Sequence, residues 1–330
     1  MLFRSLAKGD YACAAPLLMA RKFLLEEGFT DIQYYPTEGK YSVISDNVLA
    51  GRTDLSLNFT APLAVNVDRG DPLVMIGGAN AACFEMYAAE PIRSLTDLRG
   101  KRIALYERDP QPLDFAFVTS ILQYIGLQVG RDVEVFAFPR STGHSIEAPF
   151  RSGVVDAVFA NFPFSLTLRD TRAGNLILNS MTDRPWSEYV CCQVFTSRPF
   201  LEKNPVATRR ALRAILRGVD ICAREPERAA QALVDHGWVN FYQYALESTK
   251  MISYAAWRTY NSEDTIRFYS LGLGEAGVIK STPDEIIKRG TDFRFLNELK
   301  KELAFLPAPG PKRAGLFGCD IDGGIVGPQS

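Results

Sequence analysis

The sequence predicts an α/β protein with two lobes, and three observations carry this prediction. Strand and helix patterns alternate up to Leu178, which is typical of parallel sheets with right-handed crossovers. Two extended runs, at residues 83–89 and 190–195, interrupt that alternation. After the second run the pattern is mostly helical. We therefore expect the chain to leave a first lobe at the first run and to return to it at the second.

The first lobe is predicted from short apolar strands that are each followed by a helix. Pro16 stands near the first position of the first helix and Gly28 lies just past its end, which is the usual asymmetry of helix ends. Ser42 is expected to cap the second helix, which closes at Gly51. The expected strands are residues 2–6, 32–35, 55–60 and 73–76, with a third helix at 62–67.

The alternation resumes after the first extended run and predicts the second lobe. The expected strands are residues 103–106, 133–136, 154–160 and 176–178, with helices at 113–125 and 146–151 and another from Pro163. After the return run, Ala207, Ala211 and Ile215 lie four residues apart, which indicates a long amphipathic helix. We expect this helix and those that follow to pack against the first lobe.

Composition excludes several classes of protein. The 330 residues are 47% hydrophobic and 23% charged, with a net charge of −1, so no basic field would attract nucleic acid. No apolar run approaches the roughly 18–20 residues of a membrane span. The first residues lack the pattern of a signal peptide, so we expect either a cytoplasmic protein or the mature form of an exported one. The six cysteines lack the paired CxxC spacing of a zinc site.

Four stretches of the chain, in order and spacing, resemble the periplasmic-binding-protein-like family. They are residues 49–57, 95–102, 152–157 and 200–205. The resemblance is to the branch that holds sulfonate, nitrate and pyrimidine-precursor receptors of ABC importers, together with yeast-type thiamine-pyrimidine synthases. It implies a type II periplasmic binding protein fold, with two α/β lobes, a central cleft and a two-segment hinge. Lobe 1 would comprise residues 1–86 and 193–330, and lobe 2 would be the inserted residues 87–192.

Polar and aromatic residues at the predicted strand ends are the candidate ligand-binding residues, because ligands bind beyond the carboxyl ends of such strands. Asn58, Phe59 and Thr60 are the leading candidates, since a polar triplet at the end of an apolar strand is costly to bury without a partner. The other candidates are Asp10, Tyr11, Glu38, Tyr41, Asp109, Asn161, Phe162, Trp186 and Tyr189.

The adjacent cysteines Cys191 and Cys192 are the sharpest local feature. A cysteine-rich run at this place in the pyrimidine synthases has been linked to iron, and these two cysteines are the candidate metal ligands here. Adjacent side chains of a strand point to opposite faces, however, so both thiolates would not easily bind one metal without other ligands. We therefore predict two buried cysteines in a hinge strand, with no bound metal and no cofactor.

Two further residues are candidates for catalysis. Cys13 precedes a predicted helix, whose dipole would lower the pKa of its thiol, and an aromatic sulfinate desulfinase of similar fold uses a cysteine in its first lobe. His144 lies in a loop that could reach the cleft. Neither has the partner residues that a nucleophile or an acid–base pair needs, and no serine-hydrolase, phosphate-loop or dinucleotide motif occurs. We expect no catalytic residue.

The sequence therefore predicts a substrate-binding protein of an ABC-type importer that closes its lobes around a small organic ligand. A sulfonate, an aromatic acid or a pyrimidine-like compound would be the ligand, and the transporter permease would be the partner. We expect a monomer that acts in the periplasm or another extracytoplasmic space. The alternative is a cleft enzyme of the same fold, similar to the pyrimidine synthases or the sulfinate desulfinase.

Overall fold

The secondary structure alternates as predicted, in a computed structural model that describes residues 2–7, 12–36, 42–81, 83–106, 113–138 and 146–305. Strands β1 to β10 are Leu2–Ala7, Asp31–Pro36, Leu55–Phe59, Leu73–Ala81, Phe84–Ala88, Arg102–Tyr106, Glu134–Phe138, Ala157–Asn161, Asn175–Asn179 and Val190–Ser197. Helices α1 to α14 are Ala15–Met19, Arg21–Glu26, Ser42–Leu49, Thr60–Asp68, Leu113–Tyr124, Glu147–Arg151, Phe164–Asp170, Arg198–Lys203, Pro205–Arg224, Pro226–Asp235, Tyr242–Met251, Ser262–Glu275, Pro283–Gly290 and Arg294–Glu302.

The strands form a mixed arrangement rather than purely parallel sheets. β1 pairs in parallel with β2, and β6 pairs in parallel with β7 and β8, as the alternation predicted. The two extended runs are the antiparallel strands: β10 lies between β3 and β4, and β5 lies between β8 and β9. Their opposite direction follows from their role, since each carries the chain from one sheet to the other. The five-stranded sheet has the order β7-β6-β8-β5-β9.

The long helix α9 supplies much of the core on the side of β4. Its apolar residues Ala211, Ile215 and Val219 are all fully buried. Gly218, on the same helix, lets the backbone of α1 approach closely, because a Cβ at this position would lie 2.5 Å from the carbonyl oxygen of Pro16. The sequence pattern thus predicted the buried stripe of this helix correctly.

An aromatic core joins the three-stranded sheet β3-β10-β4 to the five-stranded sheet, where the chain crosses between them. Phe117 of α5 contacts Phe59 at the end of β3 and Phe84 at the start of β5, with ring centroids 5.3 and 4.9 Å apart. It also contacts Tyr269 of α12, at 5.2 Å. All four rings are buried, so they hold the ends of these elements in place.

Within the ranges given above, no helix combines the length and the apolar composition that crossing a bilayer requires.

Candidate ligand-binding site and cysteine cluster

The polar triplet at the end of β3 is buried and hydrogen bonded. Asn58 is 4% exposed; its amide donates to the hydroxyl of Ser45 on α3 at 3.3 Å, and its carbonyl oxygen accepts from the backbone N–H of Phe59 at 2.9 Å. The hydroxyl of Thr60 donates to the carbonyl oxygens of Val190 and Cys191, at 3.1 and 3.2 Å. The end of β3 is therefore tied directly to the start of β10.

Two carboxamides on the neighbouring strands β10 and β4 have side-chain atoms without a hydrogen-bond partner among the described residues. Gln193, opposite Asn58 in the ladder, donates through Nε2 to the hydroxyl of Thr60 at 3.4 Å. Its Oε1 atom has no hydrogen-bond partner among the described residues, and the same holds for both side-chain polar atoms of Asn80 on β4. Both side chains are fully buried. Burying a polar atom without a hydrogen bond costs free energy, so a further polar group that bonds to these atoms would be stabilising.

The end of β8 meets the same junction from the other sheet. Asn161 is opposite Phe84 in the ladder, and the backbone N–H of Phe162 donates to the carbonyl oxygen of Cys83 at 3.2 Å. Asn161 and Phe162 are 4% and 2% exposed. Candidates from both predicted lobes therefore lie next to the two crossing segments, which we define as Cys83 with Phe84 and Val190 with Cys191.

Trp186 and Tyr189 lie in a second aromatic group. Trp186 packs edge-on against Tyr124 of α5 at 5.5 Å, and Tyr189 stacks on Phe268 of α12 at 4.2 Å. Trp186 is buried, whereas Tyr189 is half-buried and retains an accessible face. This group connects α5 to α12 beside the return crossing.

The remaining sequence candidates fall outside the described residues. They are Asp10, Tyr11, Glu38, Tyr41, Asp109 and His144, which follow β1, β2, β6 and β7 in the chain. They stay predictions.

Four cysteines from three parts of the chain come together at the crossing segments. The sulfurs of Cys13, Cys83 and Cys192 lie within 4.8 Å of one another, and the sulfur of Cys191 lies 3.0 Å from that of Cys83. All four side chains are buried and none forms a disulfide. We call Cys13, Cys83, Cys191 and Cys192 the cysteine cluster.

The cluster corrects the prediction that the adjacent cysteines diverge. Cys83 is near the sulfurs of both Cys191 and Cys192. The pairing of β10 with β4 shifts register between Val190 and Cys192, and again between Cys192 and Gln193. Such irregularities break the strict alternation of side chains, so two adjacent residues can approach one point.

The cluster has one thiol that ionises more easily than the others. Burial raises the pKa of Cys83 and Cys191, and the hydrogen bond with Cys192 raises the pKa of Cys13. Burial also opposes ionisation of Cys192, but hydrogen bonds from the three neighbouring thiols outweigh it and lower its pKa. The nearby Asn80 amide, which does not meet the geometry of a full hydrogen bond, also contributes to this lowering.

The expectation that a helix dipole lowers the pKa of Cys13 is therefore wrong. Cys13 lies in the 3-10 turn Ala12–Ala14, is 7% exposed, and has a raised pKa because it serves as a hydrogen-bond donor to Cys192. A thiol held protonated in this way is a poor nucleophile.

The sequence reasoning missed three residues of this junction: Ser45, Asn80 and Cys83. Ser45 lies in an ordinary helical pattern, and Asn80 extends a strand that was expected to end at Ile76. Cys83 begins an extended run, and that pattern alone does not indicate a partner for its thiol. The polar break of the apolar run at Asn80 was the available signal.

Comparison with known proteins identifies the family. A family model described as NMT1/THI5 like matches residues 19–229. The chain belongs to this NMT1/THI5-like family. A search of curated protein sequences found no match.

Solved structures share the fold at low sequence identity. The periplasmic nitrate-binding protein NrtA from Synechocystis PCC 6803 is 15% identical, with a TM-score of 0.73 over 93% of this chain and 89% of the other. The periplasmic aliphatic sulphonate binding protein SsuA from Escherichia coli is 16% identical, with a TM-score of 0.66 over 86% and 91% of the two chains. A Candida albicans protein with the generic periplasmic binding protein fold is 12% identical, with a TM-score of 0.66 over 88% and 95%. The predicted periplasmic binding protein fold is confirmed.

Proposed function

We propose that this protein is the substrate-binding protein of an ABC-type importer and that it captures a small organic ligand. The observation that carries the proposal is the meeting of β3 and β8 at the crossing segments. Thr60 bonds to the return crossing and Phe162 to the outgoing one, so strand ends from two different sheets face a common junction. Ligands of open α/β sheets bind beyond such strand ends.

The proposed mechanism is closure of two lobes about the crossing segments. Lobe 1 would be residues 1–86 and 193–330 and lobe 2 residues 87–192, a division supported by the strands of the five-stranded sheet, which all lie between Phe84 and Asn179. A ligand that contacts both strand ends would favour the closed arrangement, because some of its contacts are made only when the lobes are closed. The permease would then recognise the closed form.

The ligand class follows from the side chains available. The amides of Asn58 and Asn161 suit oxygen atoms of an oxyanion or a heterocycle, and the accessible face of Tyr189 suits an apolar or planar group. A sulfonate, an aromatic acid or a pyrimidine-like compound would combine these features. The nitrate-binding and sulphonate-binding descriptions of two structural neighbours agree with an anionic group. In keeping with these neighbours, we propose an extracytoplasmic location.

A thermal-shift screen followed by chemical recovery tests the proposal. Sulfonates, nitrate, aromatic acids and pyrimidines would be the probes, each recovered afterwards and analysed for consumption. Ligand at about 100 times its dissociation constant adds roughly 2.7 kcal/mol to the free energy of unfolding. A stabilising ligand that is recovered unchanged supports a binding protein, whereas a stabilising ligand that is converted supports the enzyme alternative.

A variant pair tests the assigned site. Asn58→Ala removes a buried amide at the strand end, and we expect it to weaken binding of the identified ligand by about tenfold or more. Asn175→Ala is the matched control, because that amide donates to the carbonyl oxygen of Ile92 far along the chain. Equal affinities for Asn58→Ala and the parent, with the fold retained by circular dichroism, would remove Asn58 from the site.

A further inference from the structure

The cysteine cluster brings sulfur atoms from three parts of the chain to one buried place. The sulfurs of Cys13, Cys83 and Cys192 lie within 4.8 Å of one another, and the sulfur of Cys191 lies 3.0 Å from that of Cys83. Deprotonated cysteines are metal ligands, so thiols that converge in this way can hold a metal ion.

Two further observations point to a ligand. The side chain of Asn80 is fully buried beside Cys192 and leaves both its polar atoms without a hydrogen-bond partner among the described residues. The register shifts of β10 turn two adjacent cysteines toward one point, against the ordinary alternation of a strand. Packing alone requires neither feature.

The geometry and donor type decide between metals. Thiolates favour soft or borderline ions, and a closed site of four sulfurs is typical of structural zinc. Zinc–sulfur bonds of about 2.3 Å place the sulfurs of a tetrahedron about 3.8 Å apart. The sulfurs of Cys13, Cys83 and Cys192 already lie within 4.8 Å of one another. Cys191 lies outside that group and has to move to complete the tetrahedron, and its 3.0 Å contact with Cys83 has to open by about 0.8 Å.

We propose that the cysteine cluster binds one zinc ion that joins the first helical turn to both crossing segments. The ion would lock together the turn at Cys13, the outgoing crossing at Cys83 and the return strand β10. It would therefore be structural, setting the hinge from which the lobes move. Binding requires deprotonation of the thiols, so uptake of zinc releases protons to solvent.

Zinc titration of the full chain tests this. Cys319 lies outside the described residues, so all proteins carry Cys319→Ser to remove its thiol. The chain is purified under reducing conditions, stripped with a chelator and titrated with Zn(II) alone, and Co(II) serves as the spectroscopic probe. We expect about one zinc per chain that survives desalting, cobalt–thiolate charge-transfer bands, and release of several protons per ion.

Serine variants locate the site. Cys83→Ser and Cys192→Ser should lose the bound zinc, whereas Cys222→Ser should keep it, because Cys222 is equally buried but lies outside the cluster. If the cluster variants fail to fold, protection of the native thiols from a thiol reagent on adding zinc to the parent chain gives the same test.

Three results would overturn the proposal. They are absence of stoichiometric zinc in the reduced chain, equal zinc content in cluster variants and the Cys222→Ser control, and uptake of Fe(II) in place of zinc. No transported ligand enters these measurements, so failure here leaves the proposed transport function untouched.

Discussion

Replacing Arg169 by methionine probes a buried ion pair on β5, just beyond the outgoing crossing. The carboxylate of Glu85 is fully buried; it accepts from the Nη2 atom of Arg169 at 2.6 Å and from the hydroxyl of Tyr87 at 2.9 Å. Removing one partner of a buried pair costs about 3–5 kcal/mol. Because Arg169 is 38% exposed and Tyr87 still donates, we expect a loss of about 2–3 kcal/mol in the free energy of unfolding.

Urea denaturation at neutral pH measures this loss, and a second substitution tests its cause. Glu85→Gln keeps the shape of the side chain and removes its charge. In the Arg169→Met background it should restore stability, because the uncompensated buried charge disappears, whereas in the parent chain it should destabilise. Arg151→Met is the control: Arg151 is 45% exposed and its partner Glu147 lies four positions away on the same helix, so about 0.3–0.5 kcal/mol is expected. If Glu85→Gln is equally destabilising in both backgrounds, the charge-burial argument is wrong.

Two further predictions concern packing and pH. Gly218→Ala should lower the free energy of unfolding by about 1–3 kcal/mol in urea melts, because its Cβ would lie 2.5 Å from the carbonyl oxygen of Pro16. Gly274→Ala is the control: its Cβ would enter open space, so this substitution should be neutral or stabilising. Equal effects of the two substitutions would contradict the close approach at Gly218. The hydrogen bond from Arg131 lowers the pKa of Asp132 to about 2, so its contribution is present above the ordinary value of 3.8 and is lost as the pH falls toward 2. The difference in melting temperature between the parent and Asp132→Asn should therefore shrink over that window, and a constant difference would show that Asp132 does not cause it.

Local patterns predicted most of the secondary structure and the place where the chain changes sheets. Periodicity identified the strands and the buried face of α9, and Pro16 and Gly28 bracketed the first helical segment. The two extended runs proved to be the antiparallel strands β5 and β10. These features depend on residues that are neighbours along the chain, so they can be predicted from a single sequence.

The cysteine cluster shows where local reasoning ends. Alternation along a strand separated Cys191 from Cys192, and a helix dipole assigned a lowered pKa to Cys13; both inferences were wrong. Register shifts in the pairing of β10 with β4 bring Cys191 and Cys192 toward one point. The hydrogen bond with Cys192, a residue distant in the sequence, raises the pKa of Cys13. Neither the partner strand nor that contact is encoded in the local pattern.

The sequence by itself determined the class of fold, the order of its elements and the two crossings, because hydrophobic periodicity is a local property. Only the tertiary structure decided which side chains meet. Cys83 and Cys191 lie 108 positions apart in the chain and 3.0 Å apart in space, and their ionisation depends on burial and on each other. Burial and through-space contact are properties of the packed molecule, so the cluster became visible only once the two crossings were brought together.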